Sequence, residues 1–132
     1  MRSVGARSLL VLLVVCAFLA APAVAQVTWS SCHLFTDGAL SSSLSAECSI
    51  FAVPGDYQTG DGFLNVFVKR ALGSNNPGHS KQLWMVSDGP GLSGQQYEAQ
   101  VEALMAATGN LYDIYLMDHR GTGRSSPINC PV

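Results

Sequence analysis

Glycines at three spaced positions mark the segment whose residues are best suited to chemistry. Gly89, Gly91 and Gly94 fit the pattern Gly-x-Gly-x-x-Gly, which follows an apolar run and precedes a helical pattern. In dinucleotide-binding proteins this pattern holds a pyrophosphate on helix N-terminal N–H groups, and an acidic residue further along the chain binds the ribose. Asp118, which lies 24 residues after Gly94, is near the position that such a site requires. Dinucleotide binding is therefore one hypothesis for this segment.

Two residues of the same segment oppose that hypothesis. Pro90 removes a backbone N–H from a turn that has to supply donors, and Asp88 places a negative charge beside the pyrophosphate position. The segment fits better as an oxyanion-hole loop, in which backbone N–H groups stabilise the negative charge that develops on a carbonyl oxygen. Glycine allows the backbone to adopt unusual dihedrals there and to approach a substrate closely. We therefore expect Asp88, Gly89, Pro90 and Gly91 to form an oxyanion-hole loop.

A second glycine-rich turn follows the next apolar run of the chain. It contains Asp118, Arg120, Gly121 and Gly123. We expect the two charged side chains to brace the turn through charge-assisted hydrogen bonds, which is a structural role rather than a catalytic one. His119 does not form a catalytic pair with Asp118 merely by being next to it, because adjacent side chains on an extended chain point apart.

The groups that complete an acyl-transfer site are missing from the sequence. A nucleophile elbow needs Gly-x-Ser-x-Gly, and no such pentapeptide occurs. Ser93 has the wrong spacing and fits better as a helix N-cap, with Gln96 completing a capping box. In α/β-hydrolases the acid and the histidine of a triad follow the nucleophile along the chain, so the histidines of this sequence do not fit the triad by their order. We expect His33 and His79 to be solvated loop residues. The sequence therefore predicts no member of the triad, no metal site and no cofactor within these 132 residues.

The elements around the two turns predict an α/β fold. Residues 48–54 and 63–70 have the pattern of an antiparallel strand pair, joined by Pro-Gly and Asp-Gly turn signals. Residues 82–87 and 111–117 are short apolar runs, typical of buried strands. A helical face lies between these runs and ends at Gly109. The residues of that face are Tyr97, Val101, Leu104 and Met105. The order strand, helix, strand predicts a βαβ unit with parallel strands. A core of two parallel strands and one helix leaves most of the sheet uncovered, so we expect this unit to be part of a larger, incomplete sheet.

The N-terminal residues predict export from the cell. Residues 1–25 combine a basic start, an apolar stretch and the small residues Ala23-Val24-Ala25, which is the layout of a signal peptide. The apolar stretch has about 13 residues, fewer than the roughly 20 that a membrane-spanning helix needs. We expect cleavage after Ala25 and secretion of the remaining chain. The 132 residues thus divide into the signal peptide at residues 1–25, a Ser- and Thr-rich arm at residues 26–47, and the α/β part at residues 48–132.

Cysteines and charge limit the chemistry of the remaining chain. Cys32 and Cys48 are close enough in sequence to close a small loop, whereas Cys130 is left without a partner. About five basic and nine acidic residues remain after removal of the signal, without a basic patch, so we expect no nucleic-acid partner. No second apolar stretch is long enough to span a membrane, so we expect no membrane association after cleavage.

The two glycine turns also resemble those of a known family. The segment Val86–Gly94 is similar to the Gly-Gly-Pro-Gly loop of prolyl-iminopeptidase-like and tripeptidyl-aminopeptidase-like α/β-hydrolases. The segment Asp113–Ser126 resembles that family's Asp-x-Arg-Gly-x-Gly-x-Ser motif after the fourth strand. The region 29–57, with its tryptophan and two cysteines, resembles the entry to secreted members of the family. The order and spacing of the three segments agree with that family.

This resemblance implies a secreted serine hydrolase or peptidase that acts at peptide N-termini. Full-length relatives would attack a peptide, or a small ester or amide, with a serine, and this chain would be their N-terminal part, ending before the triad and inactive alone. The family has Gly where this chain has Asp88, whose carboxylate would oppose the negative charge of an oxyanion. Two alternatives without catalysis are an exported interaction protein, which would have to cover the exposed sheet edge with a partner, and the product of a truncated gene or pseudogene.

Overall fold

The computed structural model describes residues 27–38 and 40–128. The predicted signal peptide at residues 1–25 and the predicted unpaired Cys130 lie outside the described residues. Five strands, one α-helix and two short 3₁₀ turns make up the described part. The strands are β1 (Ser30–Cys32), β2 (Ala46–Pro54), β3 (Phe63–Ala71), β4 (Gln82–Val86) and β5 (Asp113–Asp118). The 3₁₀ turns span Pro77–His79 and Gly94–Tyr97, and the helix α1 spans Glu98–Ala107.

The strands form a single mixed sheet in the order β1-β2-β3-β5-β4. The predicted antiparallel pair is present as β2 and β3, and the predicted βαβ unit is present as β4, α1 and β5, whose strands run parallel. β5 also pairs antiparallel with β3, so it has a neighbour on each side. The fold is therefore of the α/β class, as the sequence predicts.

The predicted strand bounds differ from the observed ones by one or two residues. β2 begins at Ala46 rather than at residue 48, and β3 extends by one residue to Ala71. β4 ends at Val86, one residue early, while β5 runs from Asp113 to Asp118 instead of 111–117. The shift of β5 matters, because it puts an aspartate at each end of the strand.

The Ser- and Thr-rich arm contains a strand that the sequence did not predict. Ser30–Cys32 pairs antiparallel with β2 as the short strand β1. The Ser49 hydroxyl donates to the Thr28 carbonyl at 2.7 Å, and Cys32 and Cys48 form a disulfide. Hydroxyl groups and a covalent link thus replace the alternating apolar pattern that usually identifies a strand. As a consequence, the glycine loop comes after the fourth strand of the chain rather than the third.

The helix buries its predicted face against one side of the sheet. Val101 and Met105 are fully buried, and Tyr97 and Leu104 pack at the margin of the same cluster. The buried cluster consists of Leu34, Phe35, Ala46, Ala71, Val101, Met105, Ile114 and Leu116. Three of its members, Leu34, Phe35 and Ala46, come from the arm, so the arm forms part of the core.

The start and end of the helix differ in detail from the predicted caps. The Ser93 hydroxyl accepts a hydrogen bond from the Gln95 N–H at 3.4 Å, instead of the Gln96 N–H that a capping box uses. The reason is that the first turn is a tighter 3₁₀ turn, which brings a nearer N–H to the cap. At the other end, α1 stops at Ala107, and Gly109 with φ +61° reverses the chain.

The opposite face of the sheet carries aromatic rings, and no described helix covers it. Trp84 stacks on Tyr115 with ring centroids 4.5 Å apart, and Trp29 meets Tyr115 edge-on at 6.1 Å. The Arg70 guanidinium lies 4.0 Å from the centroid of the Trp29 ring. Trp84 is 45% exposed and Val86 is 50% exposed on β4, the last strand of the described sheet.

Candidate functional site

Both glycine turns lie at the same edge of the sheet. β4 and β5 are parallel neighbours, so the loop after Val86 and the turn after Asp118 both follow the carboxyl ends of adjacent strands. In open α/β sheets, ligands bind outside the carboxyl ends of the strands where the strand order reverses. The chain reverses here, since β5 returns to lie between β4 and β3. We therefore take this edge as the candidate functional site.

The predicted oxyanion loop adopts a conformation that depends on its glycines. Gly89 has φ +66° and Gly91 has φ +76°, values that residues with a Cβ rarely adopt. The peptide bond between Gly89 and Pro90 is cis. The Gly89 N–H donates to the Ser87 hydroxyl at 3.2 Å, which closes the start of the loop. The Asp88 N–H makes no hydrogen bond to another described residue, so it is a donor that the loop can offer to a ligand.

Asp118 joins the glycine loop to the second turn. Its carboxylate accepts the Gly94 N–H at 2.8 Å and the Arg124 N–H at 2.9 Å. The Ser125 hydroxyl donates to the Asp118 carbonyl. Because the side chain is buried, these charge-assisted bonds position the start of the helix relative to the turn. Asp118 therefore positions the site through backbone N–H groups.

Gly123 leaves room for the Asp118 carboxylate. A Cβ built on Gly123 would lie 2.2 Å from Asp118 Oδ2, and Gly123 also has φ +52°. A Cβ on Gly94 would lie 3.1 Å from backbone atoms of Met117, so this glycine allows β5 to approach the start of the helical segment. The Gly121 N–H closes the turn by donating to the Ser126 carbonyl at 3.0 Å.

Arg120 and His119 have different surroundings from Asp118. Arg120, expected to brace the same turn, is exposed, and no described residue accepts a hydrogen bond from its guanidinium. Arg124 contributes its backbone N–H to Asp118, and its guanidinium lies 4.9 Å from the centroid of the Phe67 ring. Nδ1 of His119 is buried without a hydrogen-bond partner among the described residues. The structure therefore gives the bracing role to Asp118 and to backbone N–H groups.

The geometry at Asp118 also bears on dinucleotide binding. The acidic residue of such a site has to reach a ribose hydroxyl, and the helix N–H groups have to face a pyrophosphate. Here the Asp118 carboxylate is buried and accepts a hydrogen bond from the Gly94 N–H. Neither the carboxylate nor this N–H is therefore available to a dinucleotide. The arrangement disfavours the dinucleotide hypothesis, as Pro90 and Asp88 do.

A buried ion pair beneath the site is absent from the sequence-based predictions. Lys69 on β3 is 2% exposed and Glu98 at the start of α1 is 5% exposed, and their Nζ and Oε1 atoms are 2.5 Å apart. Lys69 also donates to the Leu34 carbonyl at 2.7 Å and to the Thr36 hydroxyl at 3.0 Å. The Thr36 N–H donates to Glu98 Oε2 at 2.7 Å. All three ammonium hydrogens and both carboxylate oxygens therefore have partners.

This network connects the arm, the sheet and the helix. Burial lowers the pKa of Lys69, while the hydrogen bond and the charge of Glu98 raise it, with a net lowering. The pair lines a cavity of about 170 Å³ that also contacts Asp118 and Arg124. A lysine within an apolar strand is the one local sign of such a pair, because its partner lies 29 residues away in sequence.

The other end of β5 carries a second buried aspartate. Asp113 accepts the Gly73 N–H at 2.8 Å, and His79 Nδ1 lies 3.0 Å from Asp113 Oδ2. His79, predicted to be a solvated loop residue, is about half exposed but contacts this carboxylate. His33 is exposed, as expected. The pair lies at the amino ends of the parallel strands, away from the glycine turns.

The chain matches no known protein family and no curated protein. Within residues 27–38 and 40–128, no group of three or more His, Cys, Asp or Glu side chains is placed to hold a metal ion. In the same part of the chain, no helix is long and apolar enough to cross a membrane.

Proposed function

We propose that this chain supplies the oxyanion-hole loop of a secreted serine hydrolase of the α/β-hydrolase class, with peptides or small esters or amides as substrates. The observation that carries the proposal is the loop Asp88–Gly91 at the carboxyl end of β4, held beside the turn that Asp118 anchors. Hydrolysis of an acyl bond requires donors at the position where the carbonyl oxygen gains charge. The resemblance of both turns to those of aminopeptidase-like hydrolases adds to this argument. A disulfide between Cys32 and Cys48 is compatible with an oxidising, extracellular environment.

The loop conformation limits which N–H group can act as the donor. The Gly89 N–H is engaged by Ser87, which leaves the Asp88 N–H as a donor at the start of the loop. Asp88 itself is exposed. Its carboxylate has the same sign as an oxyanion, so it would reduce the stabilisation that the N–H provides. An enzyme containing this loop is therefore expected to be slower than one with glycine at this position.

The sheet leaves one position for a nucleophile. A nucleophile elbow lies at the carboxyl end of a parallel strand, where it turns into a helix. β5 has neighbours on both sides, so an additional parallel strand next to the oxyanion loop has to pair with the edge of β4 that contacts no other described strand. That strand also has exposed Trp84 and Val86, which an additional layer would cover. The 132 residues contain no elbow pentapeptide, so the proposal requires further polypeptide to provide it.

Activity-based labelling tests the proposal. The 132-residue chain should not react with a fluorophosphonate probe or hydrolyse aminoacyl chromogenic substrates. A product of the same gene that extends in frame through a Gly-x-Ser-x-Gly segment should do both. Asp88→Gly in that longer product should raise kcat, because a negative charge next to the oxyanion is removed. Labelling of a serine in the 132-residue chain, or an extended product without activity, would disprove the proposal.

A second candidate is an exported interaction protein without catalysis. The observation that favours it is the edge of β4 that pairs with no other described strand, where Trp84 and Val86 are about half exposed on the face that no described helix covers. Exposed apolar edge strands bind further strands unless a partner covers them. Analytical ultracentrifugation of the chain at micromolar concentration distinguishes the two cases. A soluble monomer with Trp84 accessible to fluorescence quenchers would count against the interaction protein.

A further inference from the structure

The outer edge of β4, on the side away from β5, presents backbone groups that pair with no other described strand. The Asp113 N–H donates to the Lys81 carbonyl at 3.0 Å, and the parallel register continues from Gln82 to Val86. Alternate residues of a strand direct their N–H and C=O groups to opposite sides of it. The groups of Gln82, Trp84 and Val86 therefore point away from β5, in a row that can pair with one further strand.

The residues of β4 include none of the features by which proteins protect an edge strand. Such features are charged side chains, proline and β-bulges. The strand has the sequence Gln-Leu-Trp-Met-Val, and it pairs with β5 residue by residue without a bulge. Trp84 is 45% exposed and Val86 is 50% exposed, so pairing would also remove apolar surface from water. The composition of the strand therefore favours association at this edge.

Two exposed charges of opposite sign flank this neutral strand. Lys81 comes directly before β4, and Asp88 comes two residues after its end. Neither side chain forms an ion pair with another described residue, and the Lys81 ammonium lies 5.9 Å from the centroid of the Tyr112 ring. Two copies of the strand in antiparallel orientation would bring each lysine close to the aspartate of the other copy, whereas parallel copies would bring like charges together. The charges therefore favour an antiparallel partner with the same sequence.

We propose that a second copy of this chain pairs with the outer edge of β4 in the antiparallel direction, so that the two sheets become continuous across a two-fold axis. In the register centred on Trp84, Gln82 of each copy lies opposite Val86 of the other, and the outward backbone groups of both strands meet. The two indole rings lie on the same face as a cross-strand aromatic pair. Lys81 of each copy then lies within reach of Asp88 of the other. Such an interface is isologous, as closed dimers require.

This inference goes beyond the hydrolase proposal and names a partner for the second candidate function. An additional strand from further polypeptide would need the same edge of β4, so the strand and the second copy exclude each other. A pair of five-residue strands is a small interface compared with those of stable dimers. We therefore expect a dissociation constant in the micromolar range for the 132-residue chain.

Exchange of the two charges tests the inference in the full chain, secreted with its disulfide intact. Sedimentation equilibrium at micromolar concentrations should show a dimer. Lys81→Asp and Asp88→Lys should each weaken it about tenfold, because each variant places like charges together at two symmetric positions. An equimolar mixture of the two variants should restore the wild-type affinity, since both contacts then join opposite charges. Asp61→Lys, at an exposed aspartate of the turn between β2 and β3, is the matched control and should leave the dimer unchanged.

A charge within the strand itself provides a second test that does not depend on the ion pairs. Val86→Lys should weaken the dimer at least tenfold, because an edge lysine opposes pairing with a further strand. Ile50→Lys is the matched control, since Ile50 is 59% exposed on β2, which pairs with β1 and β3. This control should dimerise as the wild type does. Circular dichroism of each variant establishes that the fold is retained.

Several outcomes would overturn the inference. These are a chain that stays monomeric at hundreds of micromolar, a mixture of Lys81→Asp and Asp88→Lys that does not regain affinity, and a dimer that withstands Val86→Lys. Loss of the dimer in the folded Ile50→Lys variant would place the interface elsewhere and would overturn it as well. None of these results affects the fluorophosphonate test, which depends on a nucleophile in a longer product. The dimer and the hydrolase proposal can therefore fail separately.

Discussion

Two buried aspartates lie at opposite ends of β5 and hold different structures in place. Asp118, at the carboxyl end, accepts backbone N–H groups of Gly94 and Arg124 and joins the two glycine turns of the candidate site. Asp113, at the amino end, accepts one backbone N–H, from Gly73, and also contacts the imidazole of His79. Both carboxylates are buried. The Asp118 carboxylate is therefore held by backbone N–H groups, whereas the Asp113 carboxylate also has a side-chain partner.

The difference separates contacts that depend on the backbone from one that depends on a side chain. A substitution at Gly94 or Arg124 by any residue other than proline keeps the N–H that Asp118 accepts. The contact of Asp113 with His79 depends instead on an imidazole side chain that is about half exposed, and a substitution at His79 removes it.

The largest expected effect comes from filling the space beside each aspartate. Gly123→Ala would place a Cβ 2.2 Å from Asp118 Oδ2, and Gly73→Ala would place one 2.6 Å from two backbone carbonyl oxygens. Each variant should lose roughly 3 kcal/mol or more of unfolding free energy, because overpacking and backbone strain add. Urea unfolding measures the loss. Gly60→Ala is the control, since it has positive φ but open space around it, and should lose only about 1 kcal/mol.

Replacing each aspartate by asparagine distinguishes the two ends of β5 by the size of the loss in unfolding free energy. Asp118→Asn places an NH₂ group opposite the N–H of either Gly94 or Arg124, so one donor loses its acceptor. The variant should therefore lose about 2 to 3 kcal/mol of unfolding free energy. Asp113→Asn keeps an acceptor for the Gly73 N–H and replaces only the oxygen that faces His79, so it should lower the free energy of unfolding by about 1 kcal/mol. Thermal unfolding at pH 7.5 compares the two variants. Equal losses would contradict the distinction between backbone and side-chain partners.

Acid unfolding should reveal the contribution of Asp113. Burial alone raises the pKa of Asp113, but hydrogen bonds from Asn76, Gly73 and His79, together with the charge of His79, lower it below the ordinary value of 3.8. Below pH 3.8 the unfolded chain therefore binds this proton more readily than the folded chain, and stability falls as pH falls. The stability difference between wild type and Asp113→Asn should shrink between pH 5 and about pH 2. A constant difference over that range would show that Asp113 does not titrate as described.

The smallest effect is expected at His79. Its imidazole is about half exposed, so the ion pair that it forms when protonated is screened by solvent. His79→Ala should lower the free energy of unfolding by about 0.5 to 1 kcal/mol, because a solvent-screened contact with the Asp113 carboxylate is lost. Urea unfolding provides the measurement. His33→Ala, at another exposed histidine, should show no such loss and serves as the control.

The sequence predicts the carboxyl end of β5 better than the amino end, because the contacts of Asp118 are closer in sequence than those of Asp113. The turn at residues 118–126 is local, and the glycines that surround the Asp118 carboxylate are visible as a pattern. Asp113 instead meets Gly73 and His79, which lie 40 and 34 residues away in sequence. No local pattern marks an aspartate whose partners come from another loop, and the strand was predicted to begin two residues earlier.

The arm shows the same limit of sequence-based prediction. Its strand β1 has only three residues and is stabilised by a disulfide and hydroxyl groups, so it lacks the alternation that predicts strands. The Lys69–Glu98 pair, which holds the arm, joins residues of β3 and α1 whose proximity depends on the order of the strands. By contrast, the βαβ unit and the face of α1 follow from periodicity alone and were predicted correctly.

The position of β5 has a consequence for the order in which the protein acquires its structure during synthesis. β2 and β3 can pair as soon as both have left the ribosome, but β4 has no neighbour until Asp113–Asp118 has also been made. The strand that is translated last among the five therefore inserts between two that are already present. Until then the apolar residues of β4 and one edge of β3 are exposed to the surroundings, which is the stage at which nascent chains aggregate or need chaperones.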